Sequence, residues 1–297
     1  MYEFYRNYKL LFNCFILCNL ISCGTSEPEL PKKPLPKIPA PAPGKDLPPG
    51  KKPEPTPEPP RSEPIESCVN GMTYGIEIRN YPYIGTYYVP KCNGLKPLVV
   101  GNNGTNTVAR YYMKTIRHLA SKGFMVIWPE RRNTGSGESC IQALEFGFTQ
   151  KDVYPGIYAI TGHSQGGSAV LTCGGLAEQK WPEYKAALLP NEPACGMRSK
   201  EIEKLAGLID QKVLFFSGAL DTSVPERWVG QCYNYVKSDK AWIIGRWANH
   251  LNTGYYIPEL SLAFFKAALL DQDEGWNMLK SLDSRKYRWK STFKGGI

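Results

Sequence analysis

The stretch Ile157-Tyr158-Ala159-Ile160-Thr161-Gly162-His163-Ser164-Gln165-Gly166-Gly167 joins an apolar run of strand length to a segment with helical periodicity. Its centre has the spacing G-x-S-x-G between strand and helix, the context in which this motif carries chemistry. A sharp turn there lifts the serine above the sheet edge, and close backbone approach leaves room only for glycine on either side. The helix that follows would direct its positive N-terminal end at Ser164. The stretch therefore predicts a nucleophilic serine, with a chance Gly-Ser-Gly turn as the alternative.

A nucleophilic serine needs a base, and the chain has three histidines. His163 lies inside the turn itself, and His118 lies in a predicted helix ahead of the nucleophile. His250 follows the last predicted strand, and loops at the carboxyl ends of parallel strands share one edge of the sheet. Elimination therefore favours His250 as the base, although a lone loop histidine is more often structural or merely exposed.

The base needs a carboxylate that orients it and stabilises its charged form. Asp210 precedes a predicted strand and so lies at the wrong end of the sheet, while Glu178 and Glu183 lie around the end of a helix. Asp221 follows the strand Val213–Ser217 at its carboxyl end. The resulting order Ser…Asp…His is that of α/β-hydrolases, and it predicts Asp221 as the acid. The alternative role for Asp221 is the N-cap of the next helix.

Two backbone N–H groups should stabilise an oxyanion during acyl transfer. One is expected from Gln165, the residue after the nucleophile. The other is expected from the glycine-containing turn after the strand Leu98–Gly101, where Thr105 is the preferred donor with Asn103 behind it.

From residue 67 onward, apolar runs of strand length alternate with helical segments, which predicts an α/β domain over 67–297. We expect a mostly parallel central sheet with helices on both faces. The predicted strands are Tyr74–Arg79, Gly85–Val89, Leu98–Gly101, Met125–Pro129, Ile157–Thr161, Ala186–Leu189, Val213–Ser217 and Ala241–Gly245. The predicted helices are Val108–Ser121, Gln165–Glu178, Glu226–Val236 and Pro258–Leu270.

About 20 residues separate Leu189 from Val213, which leaves no room for a cap domain and predicts an open cleft. Candidates for lining that cleft, or for ordinary packing, are Trp181, Trp228, Trp247 and Tyr255.

The N-terminus predicts export. Residues 1–22 have a slightly cationic start and a short apolar core, which is typical of a signal peptide. The segment Leu20-Ile21-Ser22-Cys23-Gly24 resembles the lipobox of bacterial lipoproteins, which implies that Cys23 carries the lipid; ordinary signal cleavage is the alternative. Fifteen of the 25 prolines fall in 23–66, which predicts a disordered, extended linker. The expected location is a bacterial outer membrane or cell surface through the lipid anchor, and otherwise secretion.

Nine cysteines include two in the leader and Cys23, so six remain in the domain. An even number in an exported domain predicts up to three disulfides, and Cys68–Cys92 is the first candidate pair. The spacing of the cysteines does not suggest a metal site, and we expect no metal and no cofactor. The net charge of +9 includes a basic stretch over 285–294 that we expect to be a solvated end, with contact to an acidic surface such as anionic lipid as the alternative. No nucleic-acid motif accompanies it, so no nucleic-acid partner is expected.

Together, these motifs resemble the α/β-hydrolase branch that contains cutinase-like polyester hydrolases and dienelactone-hydrolase-related esterases. The matching stretches are Val99–Asn106, Arg131–Glu138, Gly162–Gly167, Gly218–Pro225 and Asn249–Asn252. The resemblance implies ester hydrolysis through an acyl-enzyme, with Ser164, Asp221 and His250 as triad and Thr105 and Gln165 as oxyanion donors. One departure is Asn102-Asn103-Gly104, where polyester-degrading members have a proline–glycine–aromatic turn.

The leading hypothesis is a monomeric, lipid-anchored serine esterase acting on bulky or polymeric esters. A lipase or an acyl-peptidase could use the same triad, because the acyl and alcohol pockets are built from loops. From a different class, the chain could be a non-catalytic surface binding protein on a hydrolase scaffold.

Overall fold

A computed structural model describes residues 68–82, 84–130, 135–197 and 199–294. The predicted signal peptide, Cys23 and the proline-rich linker lie outside these residues. None of the helices in the described part of the chain is long and apolar enough to cross a membrane.

Nine strands in the described residues form a single sheet of order β1-β2-β4-β3-β5-β6-β7-β8-β9. The strands are β1 Ile76–Tyr81, β2 Gly85–Pro90, β3 Lys96–Val100, β4 Met125–Trp128, β5 Val153–His163, β6 Lys185–Asn191, β7 Lys212–Gly218, β8 Lys240–Gly245 and β9 Tyr287–Ser291. The six strands from β4 to β8 in this order pair in parallel. Antiparallel pairs add β2 and β1 at one end and β9 at the other. The predicted α/β class with a mostly parallel sheet is confirmed.

Seven α-helices of the described chain cover both faces of this sheet. They are α1 Met113–Ser121, α2 Glu138–Phe148, α3 Gln165–Lys180, α4 Ser199–Ala206, α5 Glu226–Tyr235, α6 Ile257–Ala268 and α7 Asp273–Lys280. Helices α2 to α5 bury their apolar residues in one core, and α1, α6 and α7 bury theirs in the other. Along β5, Tyr158 and Ile160 enter the first core while Ala159 enters the second. This two-sided burial explains why the central strands read as continuous apolar runs.

Four elements were not predicted: α2, α4, α7 and β9. The strand β9 occupies part of the basic C-terminal stretch, which is therefore not simply a solvated end. Tyr287 is buried, whereas Arg288 and Lys290 are exposed on this edge strand. Charged side chains on an edge strand discourage pairing with another chain, which gives the basic residues a structural reason.

Three disulfides connect the six cysteines of the domain. The predicted pair Cys68–Cys92 is confirmed. Cys140–Cys173 joins α2 to α3, and Cys195–Cys232 joins the turn after β6 to α5. Disulfides of this number are typical of proteins in oxidising, extracytoplasmic surroundings.

The segment between β6 and β7 is short, as predicted. Its described residues form a 3-10 turn over Cys195–Met197 and helix α4, and they hold no separate cap domain. Helix α4 packs against α3 and α5 on the side of the sheet. The loops at the carboxyl edge of the parallel strands therefore frame the candidate site.

Candidate active site

The turn after β5 places Ser164 in a conformation that few non-glycine residues adopt. Its backbone has φ 60° and ψ −119°, and its N–H donates to the carbonyl of Asn191 at 3.0 Å. A Cβ on Gly162 would lie 2.3 Å from the carbonyl oxygen of Gly166, and one on Gly166 would lie 2.3 Å from that of Asn102. These contacts explain the glycines of the motif, because no larger residue fits. A strained serine at the N-terminus of a 16-residue helix is the geometry expected of a nucleophile.

Ser164, His250 and Asp221 form one hydrogen-bonded chain. The Nε2 atom of His250 lies 3.0 Å from the Oγ of Ser164, and its Nδ1 lies 2.8 Å from an oxygen of Asp221. In the tautomer of a serine triad, Nδ1–H donates to the carboxylate and Nε2 accepts from the serine hydroxyl. The structure thus brings together the three residues that the sequence singled out, while their catalytic roles stay predictions.

The loops after β7 and β8 are held together by backbone hydrogen bonds. The N–H of Leu220 donates to the carbonyl of Ala248 at 2.9 Å. The second oxygen of Asp221 accepts bonds from the N–H groups of Ser223 and Val224, at 2.7 and 3.0 Å. Asp221 therefore braces its own turn, and the alternative role as helix N-cap is wrong because Pro225 occupies that position.

His250 sits in a loop closed by two asparagines. The side-chain oxygen of Asn249 accepts from the N–H groups of Leu251 and Asn252. The side-chain oxygen of Asn252 accepts in turn from the N–H of Asn249 at 2.8 Å. These reciprocal bonds fix the loop and so orient the imidazole toward Ser164.

A second carboxylate, Glu192, was not among the predicted site residues. It follows β6, its side chain is fully buried, and it has φ 48°. One of its oxygens lies 3.0 Å from Nε2 of His163 and 3.3 Å from Nδ1 of His250. The rule that selected Asp221 applies to Glu192 as well, because both follow parallel strands at the carboxyl edge.

His163, which lies inside the nucleophile turn, also belongs to the site. Its Nδ1 lies 3.4 Å from the hydroxyl of Tyr112, while its Nε2 faces Glu192. Its ring centroid lies 4.5 Å from that of His250. His118 lies on α1 and makes no contact with this cluster.

Burial and the two carboxylates act in opposite directions on the pKa values of this cluster. Burial alone would lower the pKa of His250, but hydrogen bonds to Asp221 and Glu192 raise it to about 9. Burial would raise the pKa of Glu192, but hydrogen bonds from the two imidazoles lower it to about 2. Burial, reinforced by the neighbouring His250, lowers the pKa of His163. His250 is therefore the group of the cluster that carries a proton most readily.

The loop after β3 lies beside the nucleophile. A Cβ on Gly104 would lie 3.4 Å from the Cβ of Ser164. The predicted oxyanion donors are neighbours as well, because the hydroxyl of Thr105 donates to the side-chain oxygen of Gln165 at 3.3 Å. Asn103 is buried behind the loop, where it donates to the carbonyl of Pro129 and accepts from the indole N–H of Trp128. This geometry places Gly104 beside Ser164 and Thr105 beside Gln165.

Large apolar side chains are exposed on the loops that carry the site. Leu220 precedes Asp221, and Trp247 and Leu251 flank His250. Each of these side chains is more than half exposed, as is Tyr255 in the following turn. Trp181, in contrast, stacks on Tyr184 just beyond the far end of α3, so it does not line the site.

His163, Glu192 and His250 present three metal-ligating atoms within 4.8 Å of one another. These atoms already pair with each other, and Nδ1 of His250 also pairs with Asp221. A metal ion there would have to displace the hydrogen bond that orients His250. The donor set therefore fits an imidazole–carboxylate network better than a metal centre.

The chain matches no protein-family model, and no curated protein is significantly similar to it. Function is therefore inferred from the geometry.

Proposed function

We propose that this protein is a serine hydrolase of the α/β-hydrolase fold that cleaves carboxylic esters through an acyl-enzyme. The observation that carries the proposal is the hydrogen-bonded chain Ser164–His250–Asp221, with the serine on a strained turn before a helix. Nucleophile, base and orienting acid at these distances are the signature of covalent acyl transfer.

In the proposed reaction the Oγ of Ser164 attacks the ester carbonyl while Nε2 of His250 takes the hydroxyl proton. The N–H groups of Gln165 and Thr105 would donate to the oxyanion, assisted by the positive end of α3. His250 then protonates the leaving alcohol, and an acyl-enzyme forms on Ser164. Water attacks this ester by the same route and releases the acid.

The order of the proposed site residues along the chain supports the α/β-hydrolase assignment. The loop with the proposed oxyanion donor follows β3, the nucleophile follows β5, and the acid and base follow β7 and β8. This is the arrangement expected of α/β-hydrolases. The resemblance to cutinase-like and dienelactone-hydrolase-related esterases points to esters rather than amides.

The exposed apolar rim supports a bulky or polymeric ester at an open cleft. Leu220, Trp247 and Leu251 lie on the loops beside the triad and would contact a large substrate directly. A lipase or an acyl-peptidase on the same triad is the alternative within the enzyme class. A preference for long acyl chains would distinguish a lipase, and cleavage of an acyl-peptide would identify an acyl-peptidase.

The deciding experiment measures turnover of p-nitrophenyl acetate through octanoate by the purified, oxidised chain, together with labelling by a fluorophosphonate. Ser164→Ala should lose about 10⁴-fold or more in kcat and should not be labelled. Ser168→Ala is the matched control, because this buried hydroxyl lies one helical turn away and has no hydrogen-bond partner among the described residues. Its turnover should match that of the wild type.

A folded, oxidised wild type without turnover or labelling would contradict the hydrolase proposal. The non-catalytic surface binding protein would then become the working hypothesis. Equal turnover by Ser164→Ala and the wild type would show that Ser164 is not the nucleophile and would also contradict the proposal.

We also propose that the protein is exported and held on a bacterial membrane by a lipid on Cys23. The cysteine after a signal-like segment and the proline-rich stretch 23–66 support an anchor followed by a spacer. In a bacterial host the full chain should partition into the detergent phase of Triton X-114, and Cys23→Ala should move it to the aqueous phase. Equal partitioning of both forms would contradict the anchor.

A further inference from the structure

Two carboxylates from adjacent strands reach the same nitrogen of the proposed base. Nδ1 of His250 lies 2.8 Å from an oxygen of Asp221, after β7, and 3.3 Å from an oxygen of Glu192, after β6. One orienting carboxylate is enough for a serine triad. The second therefore needs its own explanation.

Keeping Glu192 in this position costs stability. The side chain is fully buried, and its backbone φ of 48° lies in the left-handed region, which is unfavourable for a residue with a Cβ. Its other oxygen has no hydrogen-bond partner among the described residues. A Cβ on Gly218 would lie 2.7 Å from that oxygen, so the glycine leaves the space that the carboxylate fills. A buried carboxylate under strain is better explained by a role at the site than by stability.

The surroundings aim this carboxylate at His250. The oxygen of Glu192 that faces His250 also lies 3.0 Å from Nε2 of His163. The other ring nitrogen of His163 faces the Tyr112 hydroxyl. Among the described residues, the charged and titratable groups that face His250 are Asp221, Glu192 and His163, with Tyr112 behind His163.

We propose, resting on the proposed hydrolase activity, that Glu192 is a second positioning acid for His250 and that His163 holds Glu192 in place. Either carboxylate can then accept the Nδ1–H bond that fixes the tautomer of the base. Both also stabilise the imidazolium that forms when Ser164 loses its proton. The network lets His250 keep its orientation when Asp221 is lost.

A double-mutant cycle tests whether Asp221 and Glu192 both position His250. Asp221→Ala alone should lose about 10²-fold in kcat, less than the roughly 10⁴-fold typical of a triad acid. Adding Glu192→Gln should remove about a further 10²-fold, whereas in the wild-type background it should cost less than about tenfold. Glu77→Gln is the matched control, because it neutralises an exposed carboxylate on edge strand β1. Equal fold losses from Glu192→Gln in both backgrounds would overturn the proposal.

A second readout does not depend on turnover. The chain has three histidines, so the ring protons of His250 can be assigned by NMR and titrated in the full oxidised chain. Glu192→Gln should lower the measured pKa of His250 by about one unit, and Glu77→Gln should leave it unchanged. No shift in Glu192→Gln would overturn the proposal even if the protein folds normally. A wild type that cleaves no ester would sink the proposed function instead, while this titration would still decide the role of Glu192.

Discussion

The backbone N–H of Gly104 donates a 2.9 Å hydrogen bond to the hydroxyl oxygen of Tyr112. The same hydroxyl lies 2.8 Å from Oγ1 of Thr107 and 3.4 Å from Nδ1 of His163. One side chain thus connects the loop of the proposed oxyanion donors to the imidazole–carboxylate network behind the base. We therefore expect the position of the donors and the orientation of His250 to be coupled through Tyr112.

Removal of this hydroxyl should loosen the oxyanion loop. Tyr112→Phe keeps the ring stacked on Trp128 but leaves the Gly104 N–H unpaired, which should lower the free energy of unfolding by about 1 kcal/mol. We expect kcat to fall about tenfold with little change in KM, because the donor acts mainly in the transition state. The control is Tyr111→Phe, which alters an exposed neighbour and should leave kcat unchanged. Wild-type kcat in Tyr112→Phe would refute the coupling.

Activity should increase toward alkaline pH. His250 can accept the proton of Ser164 only when it is neutral, and its pKa is raised to about 9. Because the imidazolium dominates below that value, kcat/KM should rise with pH and level off above about pH 9. The rate should be measured from pH 6 to 10 with the Ser164→Ala rate subtracted, which removes alkaline hydrolysis of the ester. A plateau already reached at pH 7 would contradict this prediction.

The raised pKa of His250 also affects the stability of the fold. A pKa raised from 6.5 to about 9 means that protonated His250 stabilises the fold fully below about pH 6.5. This contribution is lost as the pH rises through about 9. Urea unfolding at pH 6 and pH 9.5 should therefore show a larger decrease in stability for the wild type than for His250→Gln. Equal decreases would show that His250 does not contribute.

The disulfides should differ in their effect on activity. Removal of Cys68–Cys92 or of Cys195–Cys232 by paired serine substitutions should each cost about 3–4 kcal/mol of unfolding free energy. Only the second pair connects the turn after Glu192 to α5, which follows the Asp221 loop. We therefore expect the loss of Cys195–Cys232 alone to lower kcat at a temperature where both variants are folded. An equal fall in kcat for both variants would contradict this reasoning.

The space around the nucleophile turn leads to a further test. Gly166→Ala would place a Cβ 2.3 Å from the backbone oxygen of Asn102, so the fold should lose about 2–3 kcal/mol or more. Activity should fall with it, because the turn that carries Ser164 must shift. Gly254→Ala is the matched control near the site, since its Cβ would meet no atom within 4 Å. Thermal unfolding and turnover of the two variants check the prediction, and equal stability would refute it.

The sequence was most informative where one residue's role follows from local geometry. The turn at Ser164 and the positions of Asp221 and His250 after parallel strands could be inferred, because strand ends determine which loops meet. Glu192 was missed because the predicted strand ended at Leu189, two residues before β6 ends at Asn191. Glu192 was therefore not identified as the first residue after a strand.

Other features depend on contacts that no local pattern encodes. The pairings Cys140–Cys173 and Cys195–Cys232 follow from how α2 packs on α3 and how α5 lies beside the turn after β6. Strand β9 was not predicted because its basic residues obscure the apolar pattern of a strand. Only the burial of Tyr287 and the pairing with β8 show that the segment completes the sheet. The polar network that includes His250 likewise requires four strands, β5 to β8, to be placed side by side.

Each disulfide joins cysteines that are consecutive among the six of the domain, at separations of 24, 33 and 37 residues. If the chain is exported N-terminus first into an oxidising compartment, as proposed, the two thiols of each pair emerge one after the other before the next pair appears. Oxidation in order of emergence therefore yields the native pairing directly, without the slow reshuffling that crossed pairings require. Under the proposed export, all three disulfides can therefore form while the domain is still being translocated.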